Sequence, residues 1–235
     1  MEGGRLATAG KSVPAAPLLE GGDRLSRDEF ERRYRAMPGL KKAELIEGVV
    51  YLPSPVSFEK HAELHAFLMT WLGLYRAATP GVRLGDNGTV RLDLDNEVQP
   101  DAFLFIEKGG RAVVGADGYV EGAPEFIAEI ASSSASYDLH DKLRAYRRNG
   151  VREYLVWRVL DGQLDWFELQ GTEYVERQPD AAGVISSRVF PGLRLAVRAL
   201  LEGDLAKVLA ELRVGLEGAD HQAFAGTPDA AADDD

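Results

Sequence analysis

The order of elements along this 235-residue chain predicts an α/β (mixed α+β) fold, a central mixed sheet flanked by helices. Three observations carry that expectation. Amphipathic helical stripes occur near 58–78 and 200–216, at opposite ends of a series of short β-type runs. Two of those runs, 99–106 and 124–131, are mainly apolar and bounded by turn residues. Between the second run and the later strands lies 136–150, with the spacing of a helix.

The elements follow in order. Residues 1–24, rich in Gly, Ala and Pro, read as a disordered arm. Ser26-Arg27-Asp28-Glu29 is a capping-box pattern, and Phe30, Tyr34 and Met37 space a short amphipathic helix after it. Residues 43–52 predict a hairpin turning at Glu47-Gly48. The helix over 58–78 carries the stripe Leu64, Phe67, Leu68, Trp71, Leu72 and Tyr75 and stops at Pro80-Gly81. Residues 82–94 read as two strands around Asp86-Asn87-Gly88, Asn87-Gly88 being a strong hairpin signal. Strands follow at 99–106, 124–131, 152–157, 164–169 and 173–177, with a further extended stretch at 187–197. The late strands, about 164–197, are expected to extend the sheet, and 200–216 to close the fold as an amphipathic helix. One domain over 25–216 accounts for the length, with 217–235 as a solvated acidic tail.

The most informative residue is Glu129, an acid inside the apolar run Phe126-Ile127-Ala128-Glu129-Ile130-Ala131. Alternation puts Phe126, Ala128 and Ile130 on one face and Glu125, Ile127, Glu129 and Ala131 on the other. A carboxylate buried in a central strand is costly unless a charge or metal compensates it. A second acid, Asp101, stands beside Pro100 at the start of the other apolar strand, on a face with Phe103 and Phe105. Two converging carboxylates are hard oxygen ligands suited to Mg²⁺ or Mn²⁺. On the helix over 136–150, with Ser136 as N-cap and Gly150 as stop, Leu139, Leu143 and Tyr146 share a face. Lys142 lies on its flank and can tip inward, while Arg144, Arg147 and Arg148 point to solvent. A purely structural salt bridge between Glu129 and Lys142 would leave the same pattern.

His61 and His65 stand four apart, a spacing that places two imidazoles on one zinc. The glutamate between them is misplaced for a His-Glu-x-x-His metalloprotease and no third ligand follows, so a zinc hydrolase is the weakest reading. The absence of cysteine excludes disulfides and thiolate chemistry and suits a cytoplasmic setting. No apolar run reaches the length of a membrane span and no signal peptide is evident. The formal net charge is −11, and the six acids of residues 217–235 supply more than half of it. That balance argues against indiscriminate nucleic-acid binding. A basic patch around Lys142, Arg144, Arg147, Arg148 and Arg152 reads first as a solvated helix face.

Several stretches together resemble the Uma-type (Uma-two) restriction endonuclease family of the PD-(D/E)XK, restriction-endonuclease-like superfamily. They are Glu44-Leu45-Ile46-Glu47-Gly48, Ser54-Pro55 with His61, Gln99-Pro100-Asp101, Gly122 to Glu129, and Ser132-Ser133. Asp138 with Lys142, Tyr146, and Gly150-Val151-Arg152-Glu153-Tyr154 continue the match over roughly residues 25–200. The resemblance implies a restriction-endonuclease-like core with extra C-terminal strands and helix. It also implies a metal-dependent endonuclease acting on DNA, with Mg²⁺ or Mn²⁺ held by Asp101 and Glu129. Ala131 stands where the superfamily's simplest motif has its lysine, and Lys142 is the position matching variants that draw it from the next helix. Glu44 and His61 match recurring positions and join the expected site. A homodimer would bring two sites to the two DNA strands. The rival expectation is a catalytically inactive nuclease-like fold that binds nucleic acid or protein, and the acidic balance favours it.

Overall fold

The computed structural model describes residues 16–52, 58–132 and 135–226. Helix α1 (Arg27–Arg35) leads to β1 (Glu44–Ile46) and β2 (Val49–Tyr51). A π-wound turn, Phe58–Ala62, runs into α2 (Glu63–Ala78). Then come β3 (Val82–Asp86), β4 (Val90–Arg91), β5 (Glu97–Val98), β6 (Ala102–Ile106), β7 (Val113–Val114), β8 (Val120–Glu121) and β9 (Phe126–Ala131). A short helix α3 (Ala135–Tyr137), a second π-wound turn (Asp138–Lys142) and α4 (Leu143–Asn149) form one continuous helical path. Strands β10 (Glu153–Arg158), β11 (Gln163–Gln170), β12 (Glu173–Glu176), β13 (Val184–Ser186) and β14 (Arg194–Ala196) precede α5 (Val197–Leu201), α6 (Leu205–Leu216) and α7 (Ala219–Ala225).

The central sheet has the order β12-β11-β10-β9-β6-β3. Only β9 and β10 pair parallel within it; its other pairings are antiparallel. Parallel neighbours cannot be joined by a tight turn, so the chain must cross over between them. The crossover here is the helical path through Lys142 to Asn149. It ends cleanly because Gly150 takes the left-handed conformation, φ 82°.

Strand alternation sorts the core into two layers. Phe126, Ala128 and Ile130 face α2, α5 and α6 and pack with Leu68, Trp71, Leu72, Leu200, Val208 and Leu212. Ile127 and Ala131 face the other way, with Phe103, Phe105, Ala145, Tyr146 and Tyr154. That second layer is roofed by a smaller sheet of order β2-β1-β5-β4-β8-β7, whose Ile46, Val90, Val98 and Val120 enter it. Glu129 belongs to this second face, between the crossover helix and the small sheet.

The hairpin at Glu47-Gly48 forms as its sequence predicts: both residues take positive φ, 52° and 73°. Asn87-Gly88 does not make one. Asn87 has φ 49°, yet β3 pairs with β6 while β4 pairs with β5 and β8. The turn residues bend the chain from one sheet into the other, and the long register with β6 decides the partner of β3. Of the late strands, β11 and β12 extend the central sheet, but β13 and β14 pair as a separate hairpin. The helix expected over 200–216 is two helices. Gly203, at φ 76°, ends the first, and Asp204 caps the second by accepting the Lys207 N–H at 3.0 Å. Ser26 makes no side-chain cap, and the side chain of Glu29, the other half of the expected capping box, is engaged by Arg32 and Arg33.

The described residues of the expected arm and tail, 16–24 and 217–226, are more structured than expected. Leu19 is buried against α1 and β1, Gly22 N–H donates to Val50 O at 2.8 Å, and Arg24 bridges Val49. Residues 219–225 fold as α7, and His221 is buried with Nε2 3.0 Å from Thr79 Oγ1. Ser54, Pro55, Ser133 and the rest of the acidic tail from 227 lie outside the described residues. No helix among the described residues is long and apolar enough to cross a membrane.

Candidate active site

Register brings the two strand acids together. Ala102 pairs with Ala128, so Asp101, one residue before β6, lies beside Glu129. The contacts are reciprocal: Asp101 Oδ2 accepts the Ile130 N–H at 2.8 Å, and the Asp101 N–H lies 3.4 Å from Glu129 Oε2. The crossover then delivers Lys142, whose Nζ donates to Glu129 Oε1 at 2.8 Å. Lys142 is 2% exposed. A buried ammonium needs several acceptors, and it has them: Glu44 Oε1 at 3.1 Å and Asp138 Oδ1 at 3.6 Å. The Tyr137 ring also lies 5.9 Å from it.

The expected regular helix is π-wound at this point, and so is the turn carrying His61. Such turns widen the helix locally and recur at functional sites. Here one of them seats Asp138 and Lys142 in the same buried cluster.

Glu44 reaches the cluster from β1. Its Oε1 accepts the Gln99 N–H at 2.8 Å, which ties the small sheet to the segment leading into Asp101. His61 sits at the edge, its Nε2 3.6 Å from Asp101 Oδ1, with Lys42 Nζ at 3.9 Å from the same oxygen. All five expected residues, Glu44, His61, Asp101, Glu129 and Lys142, therefore meet in one place. Sequence reasoning missed three participants. Tyr146, assigned to the apolar helix face, donates its hydroxyl to Glu129 Oε1 at 2.9 Å. The signal for it was a hydroxyl one helical turn beyond the lysine. His65, considered above only as half of a zinc pair, donates Nε2–H to the Asp101 carbonyl at 2.9 Å. Lys42 gave no signal, because its approach depends on the hairpin.

Acids outnumber cations here. Glu44, Asp101, Glu129 and Asp138 are all buried around one buried lysine. Burial pushes Glu129 up to about 8, and Asp101, Asp138 and Glu44 add to the rise while Lys142 opposes it. For Glu44, burial pulls the same way but Lys142, Lys42 and the Gln99 N–H outweigh it, so its carboxyl falls below the usual range. Burial alone would discharge Lys142; Glu129, Glu44 and Asp138 instead hold its pKa well above normal. Glu125, on the same face of the chain four residues earlier, is a contrast. It is equally buried, but the N–H groups of Ile106 and Arg111 satisfy it at 3.0 and 2.9 Å.

The donor set fits a hard divalent cation. Asp101 Oδ1 faces His61 and Lys42 at 3.6 and 3.9 Å, and Glu129 Oε2 takes only the long contact from the Asp101 N–H at 3.4 Å, so both carboxylate oxygens keep acceptor capacity where β9 meets the start of β6. Mg²⁺ is commonly held by one or two protein carboxylates with water and phosphate completing the shell. No three His, Cys, Asp or Glu side chains among the described residues converge as metal ligands. The zinc alternative built on His61 and His65 thus lacks its third ligand, and its two rings stack with centroids 6.0 Å apart.

Comparison with known proteins agrees with this architecture. No curated protein matches the sequence. A crystal structure described as a putative nuclease belonging to DUF820 from Anabaena variabilis ATCC 29413 superposes with a TM-score of 0.58 at 16% identity. The match covers 76% of this chain and 98% of that one. At that identity the likeness establishes a shared fold, the restriction-endonuclease-like one. The Uma2 family, described as putative restriction endonuclease, matches residues 27–198. With most of its length in that match, and with the acids and lysine of the expected pattern meeting in one buried cluster, the chain belongs to the Uma2 family.

Proposed function

We propose that this protein is a metal-dependent endonuclease that hydrolyses phosphodiester bonds in DNA. The observation that carries the reading is the excess of buried carboxylates around Lys142, with Asp101 and Glu129 side by side on adjacent strands. Such an excess is costly in isolation and is relieved by a cation. Asp101 and Glu129 are the residues that would hold Mg²⁺ or Mn²⁺. When bound, the ion would supply Lewis acidity towards a phosphate and a more acidic water.

The remaining work falls to the chain. Burial and the acidic neighbours push Glu129 up to about 8, and a bound cation would favour its charged form. Tyr146 holds Glu129 Oε1, leaving Oε2 towards Asp101. Glu44 and Asp138 keep Lys142 charged, so its ammonium can stabilise negative charge developing on the phosphate. His61 stands beside Asp101, 18% exposed at its side chain, where it can hydrogen-bond an incoming water or phosphate oxygen.

The rival reading is a nuclease-like fold that binds a partner without cleaving, and the net charge of −11 favours it. Calorimetry with Mg²⁺ and Mn²⁺, followed by plasmid nicking on the same samples, separates the two. The expected result is metal binding and nicking by the wild type, both lost in Glu129→Ala. A wild type that binds metal in neither the presence nor the absence of DNA would overturn the endonuclease reading in favour of the binding module.

A further inference from the structure

The crossover helix has a second surface that the reaction does not use. Its inner face carries Lys142 and Tyr146; its outer face carries Arg144, Arg147 and Arg148. From Lys142 to Gly150 the path is about 12 Å long at helical rise. Alongside residues 144–150 lies a cavity of about 870 Å³, lined by these three arginines together with Arg111, Asn149 and the acids Glu47 and Glu173. Four arginines thus line one cavity in a chain whose formal net charge is −11.

Their pairing differs. Arg144 pairs with Asp141, Arg147 with Glu173, and Arg148 with Glu47 and Asp93. These partners are partly exposed, and such pairs contribute little, so a stronger acceptor can displace them. Arg111 has no carboxylate partner among the described residues; its Nη1 donates to the Gly150 carbonyl at 2.9 Å. Its guanidinium lies against Gly150, where a Cβ would come within 2.3 Å of Nη1. Its backbone is fixed from below, because Arg111 N–H donates to the buried Glu125. Glu125, on the same side of the chain as Glu129 but outside its cluster, therefore anchors this cation.

We propose that Arg144, Arg147 and Arg111 form a track for the backbone of duplex DNA, leading from the candidate active site along the outer face of the crossover helix. The track rests on the nuclease reading only for its direction; its contact with phosphates is a separate claim. Guanidinium groups suit this use because their fork geometry matches phosphate oxygens in pairs. Arg144 and Arg147, three residues apart on the helix, are about 4.5 Å apart along its axis, and Arg111 joins them from another segment of the chain across the same cavity. Contacts of this kind carry no sequence information and make affinity depend on salt.

The test is fluorescence anisotropy with a labelled 20-base-pair duplex, in EDTA, across a series of KCl concentrations. Wild type and the triple variant Arg111→Ala, Arg144→Ala, Arg147→Ala are compared. Each lost phosphate contact lowers the slope of log affinity against log salt by about 0.9. The triple variant is therefore expected to lose about 3 from that slope and to bind at least tenfold more weakly at low salt. The corresponding triple Arg→Lys variant should recover most of the slope, and its thermal unfolding reports whether the fold is intact. An unchanged slope in a folded triple Ala variant, or no duplex binding by the wild type, overturns the track. Plasmid nicking on the same proteins keeps the two claims apart. Arginine-dependent binding without nicking sinks the nuclease reading and leaves the track; nicking with an unchanged slope does the reverse.

Discussion

Two buried cations in this molecule each sit among several carboxylates, and they resolve the problem differently. Arg91, in β4, contacts Glu31 at 3.0 Å, Glu97 at 3.4 Å, and Asp117 and Glu121 at 2.7 Å each. The Tyr119 ring covers it at 4.7 Å. Lys142 contacts Glu129, Glu44 and Asp138. At Arg91 the guanidinium offers five donors, and Asp117 and Glu121 reach solvent with side chains 47% and 38% exposed. Its residual negative charge is hydrated. At Lys142 the acids are buried and the ammonium has three donors, so the excess charge has no outlet within the protein. Burial followed by the Glu31 contact lifts Glu97 to about 7, and burial with its acidic neighbours lifts Glu129 to about 8. The first cluster pins the small sheet to α1, whereas the second is left needing a proton or a cation. Similar residue types thus serve structure in one place and, on the proposed reading, chemistry in the other.

The sharpest way to break this contrast is to remove the central acid. Glu129→Ala is expected to lower nicking by at least ~10³-fold, since it deletes both a proposed metal ligand and the partner of Lys142. Nicking that survives at the wild-type rate would equate the two clusters as structural. Arg91→Ala should instead act on stability. Stranding buried acids costs about 3–5 kcal/mol, to be read in urea melts; a loss below about 1 kcal/mol would mean the cluster is hydrated and dispensable.

The third comparison uses pH and metal together. Glu129 and Glu97 both have folded pKa values raised above an unfolded value near 4.5. Their contribution to stability is therefore complete below about pH 4.5 and lost as pH rises through about 8 and about 7 respectively. Saturating Mg²⁺ should restore stability at the alkaline end by about 2–3 kcal/mol at a hundredfold excess over Kd. The restoration should be much smaller at pH 5 and absent in Glu129→Gln. Equal stabilisation by Mg²⁺ in Glu129→Gln would place the ion elsewhere. The smallest effect is expected from Tyr146→Phe. It removes one hydroxyl from Glu129 Oε1, at a cost of about 1 kcal/mol in stability and about a tenfold fall in nicking. A hundredfold fall would mean that the hydroxyl does more than hold Glu129 Oε1.

Much of the candidate site was legible before any fold was known, for a local reason. An acid in an apolar strand and a lysine beside an apolar helical face are visible in short windows, because strand and helix periods are local properties. Glu129, Asp101 and Lys142 were found that way, with the family resemblance adding Glu44 and His61. What failed was equally specific. Asn87-Gly88 marked a bend but not the partners of the strands it joins, and the capping box at Ser26 lost its glutamate to two arginines. The four acids around Arg91 come from α1, β5, β8 and the loop before β8, so no window contains them.

The sequence by itself therefore determined the fold class, the alternation of β9 and the residues that could carry charge into its interior. The tertiary structure alone decided that Glu44 and Lys142 meet, that Tyr146 bonds Glu129, and that Arg111 stands at the end of the crossover helix. The division has one physical cause. Backbone periods and turn preferences act between near neighbours, whereas a charge cluster exists only after chain closure has paired strands distant in sequence.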